Sequence, residues 1–409
     1  MSVIVLRTRT DRWPPGIRAL LVTTLVTRSA GFSYPFLTYH LSDIGYSATM
    51  AGQIASLFGV GWLVGQLTTG WAADRFGRRR VLVTVLTTAA FALPLLAQAR
   101  DLDMVCIGTF IAGTVYDAPR PVITSLIAEL LPDPARQAAV SGWRYGAVNV
   151  GAAFTGAAGG LLASAAGYAA LFWLNGAASA MCALAVVRVL PPDRLAADPR
   201  ALTPDQPRLR LDPLLWLLWA ASLCALTCAS DMFSALPLLM QSDRLPATSY
   251  GWTQVANSAA VLILTPLLTP WLSRLCAGHR PRVGMLALSS LLLGAGMGSA
   301  GLAHTTWQYS AAVGAAVPGE ILLYLGASDV LSKISPPHLR GAYAGVWGSS
   351  LAVAVIVAPV LASWSLATGG GELVALTTLA TGVLGAALSA PLAALARVRA
   401  AFTSTHLEE

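Results

Sequence analysis

The sequence predicts an all-α integral membrane protein whose twelve transmembrane helices form two pseudo-symmetric six-helix bundles. Three observations carry that prediction. The 409 residues are 56% hydrophobic and only 11% charged, whereas water-soluble domains run near ~25% charged, so no polar shell can enclose the chain. Apolar stretches of about 20 residues, the length a helix needs to cross a hydrocarbon core, recur twelve times. A polar segment without apolar periodicity falls midway, and a short motif repeats on either side of it.

Taken in order, Met1 to Arg18 hold four arginines and no cleavage-site pattern, so residues 1–17 read as a cytoplasmic tail and not as a signal peptide. The first bundle, 18–189, contains spans 18–40, 47–72, 80–99, 103–127, 139–164 and 168–189. Residues 190–212, rich in Pro, Asp and Arg, form a cytoplasmic linker. The second bundle, 213–396, contains spans 213–240, 250–275, 283–303, 305–331, 340–366 and 372–396, and 397–409 is a second cytoplasmic tail. Pro132, Arg136, Ala138 and Trp143 recur as Pro336, Arg340, Ala342 and Trp347 at a constant offset of 204. These two segments occupy the equivalent loop of each half, as two parallel repeats with a binding site at their interface require.

Spans two and three are joined by Gly70-Trp71-Ala72-Ala73-Asp74-Arg75-Phe76-Gly77-Arg78-Arg79-Arg80. Four arginines in so short a loop place it on the cytoplasmic side, where short loops carry the excess of Lys and Arg. The same rule accounts for the formal charge of +7: this placement puts 22 of the 26 Lys and Arg at cytoplasmic ends or loops, leaving Arg28, Arg100, Arg120 and Arg244. No basic patch interleaved with aromatics remains for nucleic acid. The five cysteines and five histidines show no metal-ligand spacing, and no G-x-x-x-x-G-K-S/T loop occurs, so neither a metal, another cofactor nor ATP is expected. Energy must then come from an ion gradient.

Charges inside the spans are informative because each costs ~2.5–3.5 kcal/mol or more in hydrocarbon, so they normally face a polar cavity. There are five. Arg28 lies mid-span with Thr24, Gly31 and Pro35 on its face. Asp117 and Arg120, three apart and therefore on one helix face, continue a stripe through Thr109, Gly113 and Thr124, beside a bend expected from Pro119 and Pro121. Asp231 shares a stripe with Cys224, Thr227 and Ser234, and Glu320 lies one turn from Tyr324, next to an expected break at Pro318 and Gly319. Asp117 and Arg120 read either as a buried pair holding the helix or as substrate-orienting groups; pairing of Arg28 with Asp117 would leave Arg120 for substrate. Asp231 and Glu320 lack a basic partner in their own half, which favours a protonatable role, with Asp117 as the alternative proton site.

The 70–80 loop resembles, position by position, the G-x-x-x-D-R-x-G-R-R-R loop of the major facilitator superfamily of transporters. The resemblance implies that Gly70 lets the second helix approach span eleven at Gly341, Ala342 and Gly345, that Asp74 faces the positive N-terminal end of that span, and that Arg78 pairs with Glu129. With Arg75 and Gly77 these residues would form a cytoplasmic latch closed in the outward-facing state; the alternative is a charged topology anchor. It also implies that spans one, four, seven and ten, the four that carry the intramembrane charges, line a central cavity. Phe32, Phe36, Tyr324 and Trp347 join Arg28, Asp117 and Arg120 there as candidate substrate contacts.

Span five, Asn149 to Gly160, resembles the glycine-rich signature of the superfamily's drug/proton antiporters, although the usual Gly-Pro is Gly156-Ala157 and the arginine usual early in span four is Thr109. Tight packing alone also explains such glycines. The expectation is a monomeric secondary transporter in a bacterial inner membrane, with both termini cytoplasmic, exchanging protons for a partly apolar organic compound by alternating access. A proton-coupled uptake symporter for a sugar, peptide or organic acid is the first alternative, and a membrane sensor or scaffold the second.

Overall fold

The computed structural model describes residues 13–131, 134–193, 212–276, 281–336 and 340–405. Most of the expected linker and parts of both tails lie outside them. The helices are α1 (Pro15–Ser29), α2 (Leu37–Asp43), α3 (Ala48–Phe76), α4 (Arg78–Gln98), α5 (Leu102–Tyr116), α6 (Pro119–Leu130), α7 (Pro134–Ala166), α8 (Tyr168–Val189), α9 (Pro213–Ser230), α10 (Ala235–Ser242), α11 (Ala247–Cys276), α12 (Val283–Ser299), α13 (Thr306–Ile334) and α14 (Arg340–Thr405). Among the described residues nine helical stretches, α9 and α10 together making one, are each long and apolar enough to cross a membrane. The first and fourth crossings are built from two shorter helices each, α1 with α2 and α5 with α6. The α14 run crosses twice, because Gly370 takes φ 64° and ψ −158°, which only glycine adopts without strain. Twelve crossings result.

The breaks have identifiable causes. Pro119 opens α6, where its missing N–H is not needed, and the chain leaves helical geometry at Asp117 (φ −116°, ψ 4°). The bend expected at Pro119 and Pro121 is thus a full interruption. Span ten goes the other way: α13 runs unbroken through Pro318. Packing against neighbours and nearby hydroxyls lets a transmembrane helix tolerate proline, and here the Ser289 hydroxyl on α12 donates to the Gly319 carbonyl at 2.7 Å.

Within the first half α3 packs on α5, α4 on α8 and α1 on α7; within the second α12 packs on α13, and α9 and α12 on α14. Small residues set the closest approaches, as in membrane bundles generally. A Cβ added at Gly61, Gly65 or Gly113 would fall 2.0–2.1 Å from a carbonyl oxygen of the facing helix in the α3–α5 pair.

The halves meet through α7 against α11 and α3 against α14, and these contacts lie near one end only. Gly156 and Gly160 abut Gln254 and Thr248, while Gly52 and Gly59 abut Ser363 and Ile356. At the opposite, arginine-rich end a Cβ at Gly70, Gly142, Gly146, Gly345 or Gly348 meets nothing within 4 Å among the described residues. The approach of Gly70 to span eleven is therefore not made in this conformation, because the halves have parted there. The molecule is closed at the end of residues 156–160 and open at the end of loop 70–80.

Candidate functional site

The site begins with the interrupted fourth span. Asp117 sits in the gap between α5 and α6 and is 2% exposed. Its Oδ1 accepts from Arg28 Nη2, and its Oδ2 accepts from Arg120 Nε at 2.9 Å and from Gln66 Nε2 at 3.0 Å. Gln66 reaches it because Gly65 and Gly113 bring α3 against α5. Asp117 therefore serves both arginines at once, and neither of the two pairings expected from sequence excludes the other. Arg28 also stacks over the Tyr116 ring at 5.5 Å, and Thr155 of α7 fixes the α1 terminus by donating to the carbonyls of Arg28 and Ser29 at 2.5 and 2.9 Å.

Between the halves lies a cavity of about 160 Å³. Arg28, Tyr34, Trp62 and Tyr116 line it from the first half, and Phe233, Asn257, Glu320 and Tyr324 from the second. Enclosed cavities of roughly 150 Å³ accept a single benzene ring, so this space, which opens toward the end of loop 70–80, is at least ring-sized. Glu320 makes no hydrogen bond or ion pair among the described residues, and it shares the cavity with Arg28 of the opposite half, whereas Asp117 and Arg120, expected among the cavity contacts, lie behind Arg28 and off the described wall.

Several expected contacts fall elsewhere. Phe32 and Phe36 are 2% and 0% exposed and do not line the cavity; they pack on each other at 6.5 Å, and Phe36 packs on Tyr250 of α11 at 5.5 Å. The chain is not helical between α1 and α2, so the helical spacing from Arg28 does not carry over and Tyr34 takes the inward position. Trp347 is also off the cavity wall, its indole N–H donating to Ser222 Oγ at 3.0 Å. Asp231 lies behind the wall, 5% exposed, accepting from Thr378 Oγ1 at 2.8 Å and Ser234 Oγ at 3.3 Å.

At the open end Arg78 Nη1 donates to Glu129 Oε2 at 2.9 Å, while Arg75 stacks on Trp71 and Phe76 at 5.6 and 5.9 Å. Gly77 adopts φ 99° and leaves room for the Asp193 carboxylate, which accepts from the N–H groups of Arg79 and Arg80 at 2.7 and 3.0 Å. That carboxylate occupies the N-terminus of α4, a favourable place for an anion. The side chains of Asp74, Gly341 and Ala342 are outside the described set. Sequence reasoning missed Gln66, Tyr34, Trp62, Tyr116, Asn257 and Arg144. Of these only Gln66, a polar residue one turn from Gly70 in an apolar run, carried a signal.

Comparison with known proteins agrees with this architecture. The chain is 32% identical to the 4-hydroxybenzoate transporter PcaK of Acinetobacter baylyi over 42% of its own length and 37% of the relative's. It is 25% identical to the voltage-gated purine nucleotide uniporter SLC17A9 of Homo sapiens over 86% and 85%. The chain thus spans less than half the length of the first curated relatives that it matches. The fold matches that of a POT family transporter crystallised with 5-aminolevulinic acid, at a TM-score of 0.77 and 14% identity, covering 94% of this chain and 96% of that one. Residues 19–359 match the profile of the Major Facilitator Superfamily, a span that includes the helix breaks after Ser29, at Asp117 and at Asp231 and the described lining of the central cavity. The chain belongs to the Major Facilitator Superfamily and is a multi-pass membrane protein.

Proposed function

We propose that this protein is a proton-coupled secondary transporter of single-ring organic anions, working by alternating access. The observation that carries the proposal is the pairing of unlike walls in one ring-sized cavity: Arg28 on the first half, Glu320 on the second, and aromatic rings between them. The guanidinium recognises an anionic group through charge-assisted hydrogen bonds, the rings take the apolar body, and Glu320 is the proton carrier. Intramembrane acids in transporters commonly serve as such relays. Similarity to a 4-hydroxybenzoate transporter supports the same class. With loop 70–80 in the cytoplasm of a bacterium, as the arginine excess favours, the conformation described above is inward-facing and both termini are cytoplasmic.

The direction we propose is uptake. The glycines of α7 that suggested a proton antiporter have a packing role here, since Gly151 seats Arg28 and Gly156 and Gly160 seat α11. Export remains a second reading because that same α7–α11 seam is where the antiporter resemblance falls. Purified protein in proteoliposomes, given radiolabelled 4-hydroxybenzoate and an imposed pH gradient, tests the proposal. Accumulation on the alkaline side is expected, lost in Glu320→Gln while exchange at equal pH persists, and retained in Asp231→Asn. Accumulation by Glu320→Gln equal to wild type would overturn the proton assignment. Absence of any flux in the wild type would overturn the substrate class.

A further inference from the structure

One arginine of the first half has no place in the site as built so far. Arg144 of α7 is half-buried, donates from Nη1 to Thr124 Oγ1 at 2.6 Å, and has no acid within ion-pair distance among the described residues. Thr124 in turn donates to the Arg120 carbonyl at 2.8 Å, so Arg144 is held beside the turn of α6 that carries Arg120. Its position relative to Arg28 follows from α7. Gly151 lies against Arg28, a Cβ there falling 2.6 Å from Arg28 Cβ. Arg144 is two helical turns back from Gly151 on the same face, about 10 Å along the axis toward the open end. The Arg120 side chain is 48% exposed and reaches Asp117 from that same side. Two guanidiniums, those of Arg28 and Arg120, therefore meet on the one carboxylate of Asp117, and the third, that of Arg144, is fixed through Thr124 beside the turn that carries Arg120.

Asp117 neutralises one of these charges and leaves two. Uncompensated charge away from bulk water is costly unless a counter-charge arrives, and among the described residues of the first half Asp117 is the one acid that pairs with these arginines. Across the cavity Glu320 is the one acid among the described lining residues, and it carries a proton when substrate is loaded in the cycle proposed above. The loaded site then lacks two negative charges. They are placed unequally: one need is at Arg28 in the cavity, and the other is at Arg120 and Arg144 on the way out.

We propose that Arg120 and Arg144 form a second anion subsite adjoining Arg28, and that the transporter selects organic dianions, with one anionic group at each subsite, over monoanions of the same size. This rests on the reading of the central cavity as an anion site. A monoanion leaves the outer arginines unmatched, whereas a dianion entering with one proton on Glu320 matches both walls. Arg144 is then a specificity-determining residue and Arg28 the common anchor.

Equilibrium binding to the purified full chain tests it, with benzoate and terephthalate as probes of equal ring size bearing one and two carboxylates. Wild type is expected to bind terephthalate at least about tenfold more tightly than benzoate, and the ratio is expected to shrink as salt is raised. Arg144→Gln should bring the ratio below about threefold and Arg144→Lys should restore most of it. Arg120→Gln provides an independent variant in case Arg144→Gln does not fold. Equal wild-type affinities for the two probes, or an unchanged ratio in both glutamine variants, overturn the dianion subsite while leaving the central anion site standing. If Arg28→Gln weakens neither probe, or neither binds to wild type, the anion reading of the cavity fails with it.

Discussion

Replacing Asp117 by Asn removes one negative charge from the point where two arginines converge, and the structure sets the size of the effect. The carboxylate is 1% exposed, Arg28 25% and Arg120 48%. Breaking a buried pair by deleting one partner costs ~3–5 kcal/mol, because the remaining charge is left without its counter-ion. Arg28 keeps a quarter of its surface open to the cavity, so the lower end, ~3 kcal/mol, applies to it. Arg120 is half exposed, and exposed pairs contribute only ~0–1 kcal/mol. Gln66 loses little, since an Asn oxygen still accepts its amide. Asp117→Asn should therefore destabilise the protein by about 3 kcal/mol, and Arg120→Gln by less than about 1 kcal/mol, on the values just cited. Equilibrium unfolding in mixed dodecylmaltoside and SDS micelles, followed by tryptophan fluorescence, measures both. Equal losses in the two variants, or a loss below about 1 kcal/mol for Asp117→Asn, would show that Asp117 does not hold the fourth span to the first and would refute the reasoning.

Two further outcomes follow from packing and charge. In Gly160→Val the new Cβ would lie 2.6 Å from Thr248 Cα and 2.7 Å from the Ala247 carbonyl, both backbone atoms that cannot rotate away. The closed end should be forced apart, raising alkylation of a cysteine introduced at Ser249 severalfold; unchanged labelling would mean that the α7–α11 seam does not control that end. Single cysteines replacing Asp205 and Ala48 in a cysteine-free background should label from opposite faces of the membrane, and labelling of both from outside would overturn the topology used throughout.

Much of the fold was legible because hydropathy and charge are local properties. Twelve apolar runs and the arginine-rich loop can be read residue by residue, and so can the proline that ends helix geometry before α6. The pair Arg78–Glu129 was implied by the resemblance of the 70–80 loop to the superfamily's loop, and the ion pair is made. The cavity wall was not. Tyr34 faces the cavity while Phe32 and Phe36 face away because the chain between α1 and α2 abandons the 3.6-residue period, and nothing in the composition of that segment says so. Arg144 escaped because it adjoins the Trp143 repeat in a stretch assigned to the cytoplasmic end of span five. Only the contact of Gly151 with Arg28 turns it toward the site. Pro318 misled in the opposite sense, since tolerance of a proline depends on neighbouring helices that the sequence does not display.

The two aspartates occupy equivalent stations, and the difference between them bears on what each can do. Asp117 follows the last residue of α5 and Asp231 follows the last residue of α9. Each is thus at the negative end of a helix dipole, an unfavourable place for an anion. At Asp117 three donors from α1, α3 and α6, two of them cationic, offset this. At Asp231 the side-chain donors are the hydroxyls of Thr378 and Ser234. Both hydroxyls belong to the second half, so rocking of one half against the other leaves them in place, and Asp231 itself is off the cavity wall, although its neighbours Ser230 and Met232 are on it. Glu320 differs in each respect: it lies on the wall shared with Arg28, and its surroundings change whenever the halves part or close. For the proton-coupled cycle proposed above, a proton site that must see substrate on one side of the cycle and water on the other is proposed at Glu320, with Asp231 fastening span seven to span twelve through Thr378.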